Sequence, residues 1–339
     1  MTRLENNSTK ERVIWIDIAR GIGIILVIIG HLPINNDFLL EWIYSFHIPL
    51  FFFISGYVYK NDLTLRQFIM KKTKTIIVPY YSMAFILITF NVLFLKFQGN
   101  FTAATFWVML RGILVQDRFW TIWYFAALLV VEVIFYCVLH LPLGHTIKYM
   151  VLGLLFGIGG LYSYYVTIPL PINIDVALMA IPFFGLGYYL KTNNRVLLRY
   201  MKDYDPMILS FPIMLLHMLL VLVSRVVGSN LEMAASNYGI IPLSYMCAFA
   251  GIAFIVLISH VIRNRIVLFI GTNSILFFSL HQSMILHIAN RILKIFRITA
   301  ESGIPSIIYC ALEMLLILFI TWILYLGISK TKLKFMIGK

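Results

Sequence analysis

The chain has 339 residues, of which 61% are hydrophobic and only 12% charged, and its formal net charge is +13. Soluble domains contain about 45–50% apolar residues, so this composition excludes a soluble globule and predicts a polytopic membrane protein. The basic residues lie in short segments between apolar runs, which indicates membrane topology and argues against a nucleic-acid partner.

Ten apolar runs predict an all-α bundle of about ten transmembrane helices, with residues 1–339 forming one membrane domain and no soluble domain. The runs lie at about 13–33, 39–59, 74–95, 121–142, 147–167, 174–191, 206–228, 240–262, 267–290 and 304–328. Nineteen of the 27 Lys and Arg residues fall on the side of the N-terminus and seven on the other side. We therefore expect both termini to be cytoplasmic. Segment 96–120 is too short and too basic for another span and predicts an interfacial or re-entrant segment.

The first run carries three polar residues: Asp17, Arg20 and His31. On an α-helix, Arg20 and His31 project within roughly 20° of each other, and Asp17 within roughly 60° of Arg20. Charges inside a transmembrane helix cost about 2.5–3.5 kcal/mol each, so they face a partner or a wet cavity. The alternative is an Asp17–Arg20 pair that only fixes helix packing. The helical rise places Arg20 in the inner half of the span and His31 about 16 Å away, near the outer end.

The second run contains His47, which lies at a depth similar to that of His31, and Pro49. Within a helix Pro49 removes one hydrogen-bond donor and frees the carbonyl near Ser45, which predicts a kink beside a cavity. His47 is either a site residue or a packing residue bonded to a neighbouring carbonyl.

Aromatic residues, including Trp120 and Trp123, mark the start of the fourth run. They form either an interfacial belt or an aromatic wall for a sugar. Further along the same run, Glu132 cannot stay ionised in lipid and must pair or protonate. It is either a partner of Arg20 or a proton-handling group.

His281 lies in the ninth run, about two turns after the segment Gly-Thr-Asn-Ser at 271–274. Depth along this run places His281 level with Arg20, so a polar path would have His31 and His47 at one end and Arg20 and His281 at the other. The histidines show no metal spacing on one helix, and we predict no metal site. Three histidines assembled from different helices are the alternative.

These motifs together resemble the membrane acyltransferase-3 family, in the branch of sugar O-acetylases of the fucose-4-O-acetylase type. The resemblance rests on DIARG at 17–21, His31 eleven residues after Arg20, HIPLFFFISG at 47–56, the Trp-rich start of the fourth run and GTNSILFFSLH at 271–281. It implies transfer of an acyl group, usually acetyl from cytoplasmic acetyl-CoA, to a sugar hydroxyl of a surface polysaccharide or lipid-linked glycan at the inner (cytoplasmic) membrane. Acetyl-CoA is then a co-substrate, and no bound cofactor is expected. Arg20 and His31 correspond to the family's essential motif.

The chemistry of these residues agrees with that expectation. A histidine that is neutral near physiological pH can take the proton of an attacking alcohol, or can accept the acyl group first as a nucleophile. Arg20 suits an anionic part of the donor or the thioester oxyanion, with Asp17 orienting it. His47, Trp123, Glu132 and His281 are the further candidates for binding donor or acceptor.

Only a long donor such as acyl-CoA can reach both Arg20 and His31, which favours a channel over a simple pocket. The alternative function is a transporter, because a line of ionisable residues across the bilayer also suits a proton-coupled carrier, although inverted repeats are not detectable. We expect the lipid bilayer, acyl-CoA and a glycan acceptor as partners. The acceptor sugar, the acyl chain and the oligomeric state are left open by the sequence.

Overall fold

The computed structural model describes residues 2–118, 120–166, 168–193, 204–299 and 305–338, with side chains from residue 14 onward. Within these residues the chain is helical and has no β-strand. The helices are α1 (Thr2–Gly30), α2 (Asp37–Tyr44), α3 (His47–Tyr57), α4 (Leu65–Lys72), α5 (Val78–Phe97), α6 (Ala103–Val115), α7 (Trp123–Leu139), α8 (His145–Tyr165), α9 (Ile174–Thr192), α10 (Pro206–Val226), α11 (Ile241–Val261), α12 (Arg265–Thr272), α13 (Ser274–Leu280), α14 (Leu286–Ile295) and α15 (Ser306–Ser329). Short π-helical segments at Thr73–Ile77 and His281–Ile285 join α4 to α5 and α13 to α14.

Seven of the described helical segments are long and apolar enough to cross a membrane, and a bent pair makes up to eight. The protein is therefore a multi-pass, all-helical membrane protein. Every one of the ten predicted runs contains helix, but the count of ten spans and the cytoplasmic position of both termini stay predictions. The predicted run ends at 167 and 304 lie outside the described residues.

Helix α1 is central to the bundle and packs on α3, α11 and α12. The approach of α12 to α1 is so close that a Cβ on Gly271 would overlap the backbone carbonyl of Asp17. A Cβ on Gly21 would likewise overlap the carbonyl of Val267. Small residues permit such backbone contact between membrane helices. The glycine of the 271–274 segment therefore positions the helix that carries Asp17 and Arg20.

Two of the predicted spans are interrupted. The second run breaks between α2 and α3, where the Ser45 hydroxyl donates to the Trp42 carbonyl at 2.8 Å. The predicted kink is thus a break in the helix before Pro49. Pro49 occupies the first turn of α3, where backbone N–H groups have no intrahelical partner, so the proline costs no hydrogen bond there. The ninth run bends by 75° between α12 and Ser274–Ile295. Asn273 lies at this bend, and its side-chain amide donates back to the Phe269 carbonyl at 2.8 Å. It makes no capping hydrogen bond to α13.

The predicted interfacial or re-entrant segment contains the 13-residue helix α6. A capping box of Thr102 and Thr105 begins this helix, and the Tyr80 hydroxyl of α5 donates to its Ile113 carbonyl at 3.0 Å. At about 1.5 Å per residue, α6 is too short to cross a hydrocarbon core of about 30 Å. The structure therefore places a short helix against α5 where the sequence predicted a segment that does not cross.

Candidate active site

Two cavities lie next to each other beside α1. The first, here called the Arg20 cavity, has a volume of about 300 Å³ and is also lined by Ser55, Thr75 and Tyr124. The second, here called the His31 cavity, has a volume of about 260 Å³. Phe278 lines both cavities, and its ring contacts those of Phe51, Tyr124 and Phe125 at centroid distances of 5.9, 5.4 and 6.1 Å. A cluster of aromatic rings therefore stands between Arg20 and His31.

Arg20 projects from α1 into the first cavity and is held by a residue one turn earlier. Its Nη1 donates to Oδ1 of Asp17 at 3.1 Å, and both side chains are partly buried. A guanidinium has five N–H donors, so one bond to Asp17 leaves donors for a ligand. The predicted Asp17–Arg20 contact is thus present, and it is compatible with a binding role because Arg20 lines a cavity.

His31 immediately follows α1 and faces two other histidines. Its ring centroid lies 5.1 Å from that of His281, and His47 lines the same cavity. Nδ1 of His281 lies 2.8 Å from the Phe278 carbonyl, and Nδ1 of His47 lies 2.9 Å from the Ile43 carbonyl. Because a carbonyl oxygen only accepts, each Nδ1 carries the proton and each Nε2 keeps its lone pair. The neighbours of His31 are therefore oriented, with Nε2 as their acceptor atom.

The placement of His281 corrects the depth predicted from the sequence. His281 was expected level with Arg20, at the opposite end of the polar path from His31. It lies beside His31 instead. The chain bends by 75° after Thr272, so α12 and the helix that begins at Ser274 do not share one axis, and depth cannot be counted straight through them. His31 and His47 therefore line one cavity, and His281 is buried beside His31, outside the described lining of that cavity. The three histidines do not form a line across the bundle.

The aromatic residues at the start of α7 belong to the wall of the His31 cavity. Trp120 is 9% exposed and Trp123 is 6% exposed, and both line the cavity together with Thr121. The Thr121 hydroxyl donates to the Ser279 carbonyl of α13 at 3.1 Å, which fixes this segment against the helix that carries His281. Residues of an interfacial belt face lipid, so the burial of Trp123 favours an aromatic wall over a belt.

Glu132 pairs with Lys72, and the predicted alternative of a pair with Arg20 is wrong. Nζ of Lys72 lies 2.5 Å from Oε2 of Glu132, and both side chains are buried. The Lys72 ammonium also lies 5.5 Å from the ring centroids of Tyr59 and Phe68. Glu132 lies outside the described lining of either cavity. Lys72 falls between the runs predicted at 39–59 and 74–95 and is one of the nineteen cations counted on the side of the N-terminus, but α4 extends the following span and buries it.

A charged network that sequence reasoning did not find supports the His31 cavity. Arg118 forms an ion pair with the buried Asp175, and its Nε donates to Oδ1 of Asn173 at 2.9 Å. Its Nη1 donates to the Ser236 hydroxyl at 2.5 Å. This connects the start of α9 to a loop whose Glu232 lines the cavity. The one signal for it in the sequence is that two residues of opposite charge at the ends of apolar runs have to find partners.

Among the described residues, no group of three or more His, Cys, Asp or Glu side chains is arranged to hold a metal ion. His31, His47 and His281 lie near one another without forming such a group. What the arrangement offers is a cation in one cavity, imidazole nitrogens in the next and a hydrophobic partition between them.

Comparison with curated proteins and with solved structures gives no significant match. A family model described as an acyltransferase domain matches residues 13–326, which include Arg20, His31 and every residue of both cavities except Ile337 and Gly338. The match covers nearly the whole chain, and it agrees with the resemblance drawn from the motifs. The chain therefore belongs to the acyltransferase-3 family and is a membrane acyltransferase.

Proposed function

We propose that this membrane acyltransferase moves an acetyl group from cytoplasmic acetyl-CoA to a sugar hydroxyl of a surface polysaccharide or lipid-linked glycan, at the cytoplasmic membrane. The observation that carries the proposal is that two residues of the first span line two different, adjacent cavities. Its residue Arg20 lines one cavity, and His31, which follows the helix, lines the other. The helical rise separates these residues by about 16 Å, which an extended acyl-CoA can span and a small molecule cannot.

The donor occupies the Arg20 cavity in this proposal. A guanidinium binds phosphate oxygens through two parallel hydrogen bonds, and CoA carries phosphate groups. Asp17 holds the guanidinium in place through its 3.1 Å contact. The hydroxyl groups of Ser55, Thr75 and Tyr124 supply further polar contacts in the same wall. The thioester arm passes Phe278 to reach the second cavity, so this ring acts as the partition that the donor displaces.

The acceptor occupies the His31 cavity, where the sugar packs against Trp120 and Trp123. His31 takes the proton of the attacking hydroxyl as its oxygen bonds to the thioester carbonyl carbon. The carbon–sulfur bond then breaks, and the CoA thiolate leaves and receives the proton from His31. Nε2 is the acceptor atom of both His47 and His281, so His47 can orient the hydroxyl groups of the sugar and His281 can orient the ring of His31.

The test is the turnover of radiolabelled acetyl-CoA by the purified protein in lipid nanodiscs with a membrane glycan fraction as acceptor. We expect His31→Ala to fold and to transfer at least about 10²-fold more slowly, the low end for loss of a general base. His140→Ala is the matched control, because His140 is exposed and lies outside both cavities, and it should transfer at the parent rate. Parent activity in His31→Ala, or uptake of a sugar into vesicles without consumption of acetyl-CoA, would contradict the proposal, the latter in favour of a carrier.

A further inference from the structure

A basic groove of about 610 Å³ lies between α5 and α14. It is lined by Phe94, Gln98, His287, Asn290, Arg291, Lys294 and Ile295, and none of these described lining residues is acidic. The Arg291 guanidinium lies 5.6 Å from the ring centroid of Phe94 and 5.3 Å from that of Phe97. In the part of the chain that the structure describes, no carboxylate lies within ion-pair distance of Arg291 or Lys294. Among the described residues, the groove thus presents two cations without anionic partners, and Arg291 lies against aromatic rings.

The groove is connected to His31 through shared residues. Asn290 and Lys294 also line a neighbouring cavity of about 530 Å³, here called the Glu313 cavity, and His31 forms part of its wall. His31 in turn lines the His31 cavity with Trp123. Three spaces therefore follow one another along the molecule, and His31 stands between the second and the third.

The Glu313 cavity offers hydrogen-bond partners to a polar ligand. Glu313 is 0% exposed, and its carboxyl group lies beside the side chains of Tyr309 and Asn290. The Tyr309 hydroxyl donates to Oδ1 of Asn290 at 2.9 Å on the same wall. A buried carboxyl group is costly unless donors satisfy it, and two neighbouring side chains leave acceptor sites on its oxygens for ligand hydroxyl groups. These side chains suit the hydroxyl groups of a sugar.

The two cations of the groove lie on the side of the membrane where the predicted topology leads us to expect few cations. Lys and Arg concentrate on the cytoplasmic side of membrane proteins, yet Arg291 and Lys294 belong to the seven cations on the predicted outer side. The predicted topology does not account for these two cations, whereas an anionic ligand at the membrane surface would. Arg291 supplies a planar fork for phosphate oxygens and Lys294 a mobile point charge.

We propose that the basic groove binds the phosphate or diphosphate group of a lipid-linked glycan acceptor, whose sugar extends through the Glu313 cavity to His31. This inference rests on the proposed function and selects the lipid-linked acceptor over a free polysaccharide. The groove and Glu313 cavity would hold the lipid-proximal part of the acceptor, and the His31 cavity the sugars beyond it. A phospholipid headgroup offers the same phosphate chemistry, and the experiment separates the two.

The experiment compares two synthetic acceptors, a polyprenyl diphosphate-linked monosaccharide and an alkyl glycoside of the same sugar without phosphate. In the double variant Arg291→Gln/Lys294→Gln, we expect KM for the diphosphate-linked acceptor to rise at least about 10-fold, as for the loss of charge-assisted hydrogen bonds. KM for acetyl-CoA should not change, and KM for the alkyl glycoside should rise far less than KM for the diphosphate-linked acceptor, because the glycoside has no phosphate to lose contacts. The control Lys96→Gln/Arg111→Gln removes the same charge from the same predicted side, outside the groove and the Glu313 cavity, and should match the parent.

Equal increases in KM for both acceptors would overturn the inference, since Arg291 and Lys294 would then only maintain the local fold and would not bind phosphate. Competition by phosphatidylglycerol at the same concentration as the diphosphate-linked acceptor would also overturn it, in favour of a phospholipid site. Binding of the diphosphate-linked acceptor to the parent protein without donor provides a readout that does not depend on turnover. Binding that is lost in the double variant supports the groove even if no transfer is detected, and in that case the proposed function alone fails. No binding by the parent protein contradicts the inference.

Discussion

Replacing Glu132 with Gln leaves the Lys72 ammonium buried without its carboxylate partner. The two charged atoms lie 2.5 Å apart, and the side chains are 7% and 6% exposed, so water replaces little of the lost interaction. Breaking a buried pair from one side costs about 3–5 kcal/mol. The contacts of Lys72 with Tyr59 and Phe68 are present before and after the change and do not alter this difference. At about 2–4 °C per kcal/mol, the melting temperature should fall by roughly 10 °C.

The assay is thermal unfolding of the parent, Glu132→Gln and the double variant Lys72→Met/Glu132→Gln in nanodiscs, followed by tryptophan fluorescence. The double variant removes both charges and should unfold within a few degrees of the parent, because a buried pair is often replaceable by uncharged residues. Acyl transfer, measured well below the transition, should be similar in all three proteins. A Glu132→Gln variant with the parent melting temperature and transfer lowered about 10²-fold would refute this reasoning and place Glu132 in the chemistry.

Three further predictions concern packing, the acceptor side and topology. Gly271→Ala should destabilise the protein by about 1–3 kcal/mol because its Cβ overlaps a backbone carbonyl of α1, whereas Gly157→Ala meets open space and should not, as thermal unfolding will show. Asp175→Asn weakens the network beside the His31 cavity, so kinetics should show a higher KM for the acceptor and an unchanged KM for acetyl-CoA. Reporter fusions after Asn36 should report the outside and fusions after Asp62 the cytoplasm, and the reverse result would invalidate the assignment of sides.

Helical periodicity predicted which side of the first span Arg20 and His31 share. Arg20 and His31 were expected on one side of the first span because eleven residues make about three turns, and they do line adjacent cavities. The family resemblance was confirmed by the match over residues 13–326. These features follow from local spacing and short motifs, which a sequence displays directly.

The errors arose where the chain departs from straight helices or where distant residues pair. Depth counted along the ninth run misplaced His281, because no proline marks the bend at Asn273 and a glycine such as Gly271 also occurs inside straight membrane helices. The partner of Glu132 was missed because Lys72 looked like one of several cytoplasmic cations. Similarly, the pairing of Arg118 with Asp175 depends on which helix ends meet in space, and local patterns do not specify that.

The division of roles between Arg20 and His31 is tested most directly by steady-state kinetics of Arg20→Lys, with acetyl-CoA and the acceptor titrated in turn. Lysine keeps the charge but loses the planar fork, so KM for acetyl-CoA should rise at least about 10-fold while KM for the acceptor stays unchanged. The double variant Asp17→Asn/Arg20→Gln, which removes both charges, should be nearly inactive. If this double variant transfers acetyl groups at close to the parent rate, Arg20 only neutralises Asp17 within the bundle, and its assignment to the donor is wrong.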